Sequence, residues 1–177
     1  MKHLALLRGI NVSGHNMIKM EALKICFEQI CYSQIETYAQ SGNVFFHTDD
    51  ENTSKISFDI KQQIFKEFGF DVPVIVISKS DLESCLKNNP YSKNQNVDTK
   101  KLYVAFLSKN LLSTAINDLK TSQFKPDDAT VYENKIFIKY DIGVGKTRLD
   151  QKYIEKKLNL IATIRSWNTV NKLLELY

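Results

Sequence analysis

Cysteine is scarce in this chain of 177 residues, which holds only Cys26, Cys31 and Cys85. An odd number with no CxxC pair supports neither a disulfide framework nor a zinc knuckle. Cys26 and Cys31 fall within an amphipathic stretch, where a free thiol serves as a small apolar side chain. Proline and glycine are thin as well, at three and six residues, which excludes collagen-like and Pro/Gly-rich low-complexity chains. Long apolar runs are missing. None approaches the roughly 18 residues of a membrane span. The apolar run Leu4–Leu7 is too short for a secretory signal core and reads as a buried strand. A soluble, cytoplasmic protein with no membrane contact is the expectation.

The usual catalytic signatures are also absent. His3, His15 and His47 share no ligand spacing, so no metal is expected. There is no GxSxG elbow and no kinase signature. Gly143-Val144-Gly145-Lys146-Thr147 resembles a phosphate loop, but the glycine required five residues before Gly145 is Tyr140. What remains is a Gly-rich loop bearing Lys146 and Arg148, read as a weak anion cradle or an exposed connection. No cofactor is implied and no residue is assigned a catalytic role. Whether the protein is an enzyme stays open, as does its oligomeric state.

The composition that is present is globular: 43% apolar and 25% charged residues, with a net charge of +4. The charge is uneven, −2 over residues 1–78 and +6 over residues 79–177. A basic second half suits an acidic partner or a solvated lysine-rich surface.

Hydrophobic periodicity then gives an order of elements. Leu4–Leu7 is a strand, and Met20, Leu23, Phe27 and Ile30 recur at helical spacing. Ile35–Ala39 and Val44–His47 form a hairpin across Gln40-Ser41-Gly42-Asn43. Ile56, Ile60, Ile64 and Phe68 mark a second helix closed by Gly69, and Val74–Ile77 is a β-branched strand. Ser80 to Glu83 has capping-box spacing before a short helix that Pro90 ends. The rhythm repeats with a strand at Leu102–Leu107, a helix through Leu112, Ala115, Ile116 and Leu119, and a hairpin of Thr130–Tyr132 with Ile136–Tyr140. A helix through Leu149 to Leu158, a strand at Leu160–Ile164 and a last helix bearing Trp167, Val170 and Leu174 complete it. The expected fold class is α+β: two ferredoxin-like βαββαβ units with antiparallel sheets, plus a C-terminal helix. The units are placed at residues 1–79 and 101–177, joined by a helix and connection at 80–100.

In such a unit the first strand lies beside the third and antiparallel to it. The loop after strand one and the turn before strand three therefore meet at one edge of the sheet. That edge gathers Arg8, Asn11, Ser13, Gln40, Ser41 and Asn43, a set suited to a small anionic or nucleotide-like ligand. The plainer reading is that Asn and Gly shape turns while Arg8 pairs with a carboxylate. A nucleic-acid or protein-binding module using the basic second half is the alternative, because Lys135, Phe137 and Lys139 share one strand face. A partly buried phenylalanine flanked by snorkelling lysines explains that face equally well.

Ala5-Leu6-Leu7-Arg8-Gly9-Ile10-Asn11-Val12 and Tyr38-x-Gln40-Ser41-Gly42-Asn43-Val44 closely resemble a bacterial family catalogued only as a domain of unknown function, number 1697. The likeness continues through Phe68-Gly69-Phe70-x-Val72-Pro73-Val74, Asn89-Pro90-Tyr91, Gly143-x-Gly145-Lys146 and Arg165-x-Trp167-Asn168-Thr169-Val170. One departure is Ser13, where the family usually has glycine. The resemblance implies ferredoxin-like halves and no activity. Its hallmark residues carry over onto Arg8, Asn11, Gln40, Ser41, Asn43, Lys146, Arg165, Trp167 and Asn168, and these with Ser13 are the candidate ligand-binding residues.

Overall fold

Strand β1 (Lys2–Leu7) is flanked on both sides, pairing antiparallel with β3 (Asn43–His47) and with β4 (Val74–Ile77). A computed structural model of the chain describes residues 1–12, 14–93 and 97–177, and divides them into two compact units, residues 1–81 with Tyr177, and residues 82–176. In the first unit β2 (Ser33–Tyr38) completes a four-stranded sheet of order β2-β3-β1-β4. This is the expected ferredoxin-like arrangement. The β2–β3 register shifts between Ser33 and Glu36, where Gln34 adopts φ 49°.

Helices α1 (Met20–Glu28) and α2 (Thr53–Phe68) bury one stripe each against the sheet. Ile56, Ile60 and Ile64 of α2 are fully buried with Leu23 and Phe27 of α1 over Ala5, Leu7, Val44 and Phe46. Full burial of each such side chain contributes about 1.5–3 kcal/mol. The Asn52 side chain accepts from the Ser54 and Lys55 amides at the start of α2, and Gly69 ends the helix at φ 71°. The helix after β4, α3 (Lys79–Asn88), starts earlier than the Ser80–Glu83 spacing suggests. Asp81 Oδ2 accepts from the Ser78 amide and Ser78 Oγ accepts from the Asp81 amide, so the reciprocal cap is Ser78-x-x-Asp81.

The second unit repeats the sheet as β6-β7-β5-β8, built from β5 (Leu102–Leu107), β6 (Asp128–Tyr132), β7 (Lys135–Lys139) and β8 (Ala162–Ser166). Helix α4 (Gln151–Leu158) crosses between β7 and β8, and α5 (Trp167–Glu175) follows β8 with Ser166 as its cap. The helix expected between β5 and β6 is replaced by two short 3₁₀ turns, Ser113–Asn117 and Thr121–Phe124. Leu112, the first residue of the expected stripe, is 80% exposed, whereas Leu119 is buried. Ser, Thr, Asn and Asp recur through residues 108–122, and such side chains compete for the backbone groups that a helix needs.

The β2–β3 turn meets β1 at close range. Leu7 N–H donates to the Gly42 carbonyl at 2.8 Å, and a Cβ on Gly42 would lie 2.6 Å from Leu7 Cβ while φ is +77°. Steric room and backbone conformation thus both demand glycine there. Gly42→Ala is expected to lower unfolding stability by about 2–4 kcal/mol, read from urea titration; a loss below 0.5 kcal/mol would show that the turn relaxes freely.

Candidate functional site

The rim of the first sheet where β1 ends is drawn together by backbone and amide hydrogen bonds. Beyond the Leu7–Gly42 bond, the Arg8 amide donates to the Pro73 carbonyl at 2.9 Å, so the first loop, the hairpin turn and the entry to β4 converge. Asn11, at φ 53°, is the staple of the loop. Its Nδ2 donates to the Ile18 and Gln40 carbonyls at 2.9 and 3.0 Å, and its Oδ1 accepts from the Ile18 amide at 2.8 Å. Asn16 Nδ2 donates to the Gly9 carbonyl. Asn43 is fully buried and its Nδ2 donates to the Tyr38 carbonyl and to Ser41 Oγ. Gly9, Asn11, Gly14, Asn16, Ala39 and Gly42 all hold left-handed backbone at this one rim. Outside glycine, as at Asn11, Asn16 and Ala39, such a conformation persists only where surrounding contacts over-determine it.

This geometry divides the expected residues by role. Asn11 and Asn43 spend their amides on the protein itself. Arg8 is half-buried, while Gln40 and Ser41 are exposed. Ser13 lies outside the described residues.

The second-unit candidates form a separate set. Lys146 is exposed in the loop after β7, next to a turn in which its amide donates to the Gly143 carbonyl. Arg165 is buried on β8 opposite Val104, with Nη1 donating to Thr163 Oγ1 and the Ile164 carbonyl at 2.8 and 3.1 Å. Burial pulls its pKa down to about 10, which leaves it charged at neutral pH. Trp167 is buried at the start of α5, and Asn168 beside it is exposed. Within its own sheet this set lies where β7 and β8 end and β5 begins. Arg8 and Asn43 lie at the opposite rim of their sheet, where β1 ends.

The strand face of Lys135, Phe137 and Lys139 is no stacking platform. Lys135 is 1% exposed and Phe137 is fully buried, while Lys139 Nζ sits 2.7 Å from Asp141, which also receives Lys101 at 3.3 Å. Pairing with Lys139 and Lys101 holds the Asp141 carboxyl below its ordinary value. His15 is exposed in the first loop. Asp127 is buried and accepts from the Ile142 amide.

A cleft that sequence reading missed lies on the first unit. It encloses about 980 Å³ between α2 and the segments at Ile30–Ser33 and His47–Asp50. Lys55 Nζ bridges Asp50 and Asp59 at 2.7 and 3.1 Å, and the Lys55 hydrogen bond keeps the Asp50 carboxyl below its usual range. Tyr32 is buried with its ring stacked on Phe46 at 4.8 Å, and burial pushes its hydroxyl up to about 12. Cys31, expected as a small buried residue of the first helix, instead lies past the end of α1 with φ 62° and is exposed at this cleft. The sequence signal for the cleft was Phe58 and Phe65, seven residues apart and outside the buried isoleucine stripe; they are 60% and 55% exposed. Behind Phe46 lies His3, stacked at 5.7 Å, with neither ring nitrogen in a hydrogen bond of normal geometry.

The family model described as "Protein of unknown function (DUF1697)" matches residues 1–137. The chain belongs to this family. Among solved structures it is similar to the conserved bacterial protein SP0830 from Streptococcus pneumoniae, at 22% identity and a TM-score of 0.72. That match covers 98% of this chain and 97% of the other, and shows a shared fold. No curated protein matches this family member significantly. Among the described residues no helix is long and apolar enough to cross a membrane.

Removing the loop staple has a measurable consequence. Asn11→Ala loses three hydrogen bonds and a side chain that tolerates left-handed backbone, for an expected loss of about 2–3 kcal/mol together with faster amide exchange at Ile18. An unchanged urea midpoint would sink that role. His3 gives a pH test. Burial lowers its pKa below 6.5, so the unfolded chain binds more protons as pH falls. Its contribution is intact above pH 6.5 and is lost as pH drops from 6.5 through the lowered folded value. The wild type should therefore lose more stability between pH 7.5 and 5.5 than His3→Leu does; parallel curves would contradict this.

Proposed function

We propose that the rim formed by the first loop and the β2–β3 turn binds a small anionic or nucleotide-like ligand. The observation that carries this reading is the concentration of left-handed backbone at one sheet rim beside Arg8. Asn11, Asn16 and Ala39 hold a backbone conformation uncommon outside glycine, beside three glycines that adopt it readily, and Gln40 and Ser41 are exposed at the same rim. In this reading Arg8 supplies the positive charge and a bidentate grip on phosphate or carboxylate. Gln40 and Ser41 hydrogen-bond the remainder of the ligand, and Asn11 and Asn43 set the spacing between loop and turn. Lys146 and Asn168, exposed at the rim of the second sheet, are further candidate anion contacts, with Arg165 and Trp167 buried beside them.

The test is a thermal-shift series with inorganic phosphate, AMP and ATP on the full chain. A ligand at about 100 times its dissociation constant adds about 2.7 kcal/mol, which for a chain of this size raises Tm by roughly 5–10 °C. Arg8→Gln should weaken binding by about 10- to 100-fold, the worth of a charged hydrogen bond, and Ser41→Ala by several-fold. No shift with any of these compounds, or an Arg8→Gln protein that responds like the wild type, would overturn the reading. Retention of RNA or DNA at low salt, lost steeply as salt rises, would favour the nucleic-acid alternative instead.

A further inference from the structure

The cleft beside α2 is distinct from the Arg8 rim, and its walls are sorted by charge. One end holds Asp49, Asp50 and Asp59, offset by the Lys55 ammonium and by the Met1 amine, which donates to the Thr48 carbonyl. That end carries one net negative charge. Lys66 lies on the same stripe of α2, seven residues beyond Asp59, which places it about 10 Å further along the helix axis. Its ammonium has no ion pair among the described residues, and neighbouring Glu67 accepts from Gln63 Nε2. Along α2 the Gln62 amide stands between the two ends, with the exposed rings of Phe58 and Phe65 on the same stripe and Tyr32 lining the cleft near the acidic end. No hydrogen bond to the Tyr32 hydroxyl is made by any described residue.

We propose that this cleft binds a short zwitterionic peptide of about three residues carrying an apolar side chain. The peptide ammonium sits at Asp49 and Asp59, its carboxylate at Lys66, and its apolar side chain against Phe58 and Phe65. The length follows from the protein. An extended tripeptide spans about 10 Å, matching the rise from Asp59 to Lys66, whereas the charged groups of a single amino acid are too close together to reach both. The cleft volume of about 980 Å³ lies at the upper end of the roughly 300–1,000 Å³ usual for small-ligand sites. Gln62 and Tyr32 supply hydrogen bonds to the peptide backbone without adding charge.

The experiment is calorimetric titration of the full chain with Ala-Phe-Ala bearing free termini, set against the same tripeptide N-acetylated and C-amidated. The free peptide should bind at least tenfold more tightly. Asp59→Asn should abolish the preference for a free amino terminus alone, and Lys66→Gln the preference for a free carboxylate alone; a merely structural role for either residue would not separate the two ends. Cys31 gives an independent readout, since it is the exposed thiol of the cleft while Cys26 and Cys85 are buried. The free tripeptide should slow its alkylation by iodoacetamide, followed by mass spectrometry. Equal affinity for blocked and free peptides, or no heat and unchanged Cys31 alkylation at millimolar peptide, would overturn the proposal.

Discussion

The contact between Leu7 and Gly42 governs the organisation of the first unit. At that point the end of β1 and the start of β3 approach so closely that no side chain fits on the turn. A backbone pair this tight fixes the register of the two central strands. The register puts Ala5, Leu7, Val44 and Phe46 on the helix side together, because in a pleated strand a slip of one residue would turn every apolar side chain to the other face. The same contact delivers Arg8 and the Gln40–Ser41 corner to one rim, so the fold and the candidate site share a single constraint.

Much of this is legible in the sequence. The four-residue spacing of Ile56, Ile60, Ile64 and Phe68 marks a helix with one buried stripe, and the β-branched Val74–Ile77 run marks a strand. The topology of the βαββαβ unit then dictated which loops would meet. Other features depend on information no local pattern carries. The polar segment between β5 and β6 has helical spacing, but its Ser, Thr, Asn and Asp residues favour short turns over a continuous helix. Lys135 reads as a surface lysine, yet the strand register turns it inward with Phe106 and Tyr132 as cross-strand neighbours. The topology brings Asn11 and Asn43 to the rim, but the direction of a side-chain amide is settled only by which carbonyls lie near it. The α2 cleft was the least legible feature. Its walls come from four separated stretches of chain, and only the two phenylalanines outside the isoleucine stripe hinted at it.

The two units repeat more than a strand order. Each closes its fourth strand with a serine that caps the helix beginning at the next residue, Ser78 before α3 and Ser166 before α5. The repeated frame has nonetheless been loaded differently. In the first unit the candidate loop residues Arg8 and Asn43 lie where its first strand ends, and in the second Lys146 and Asn168 lie where its first strand begins. Duplication therefore preserved the packing rules while the rims diverged, as expected when a scaffold is held by its core and its loops are free to vary.

The irregularity at Gln34 bears on how the protein behaves in a crowded solution. Strand β2 ends the sheet on one side and offers its outer row of amides and carbonyls to any other extended chain. A residue in left-handed conformation within that strand breaks the regular spacing of those groups. An incoming strand can match the ladder only over a few residues before it falls out of step. The shift in register thus protects against edge-to-edge polymerisation, a safeguard written into the backbone rather than into surface charge.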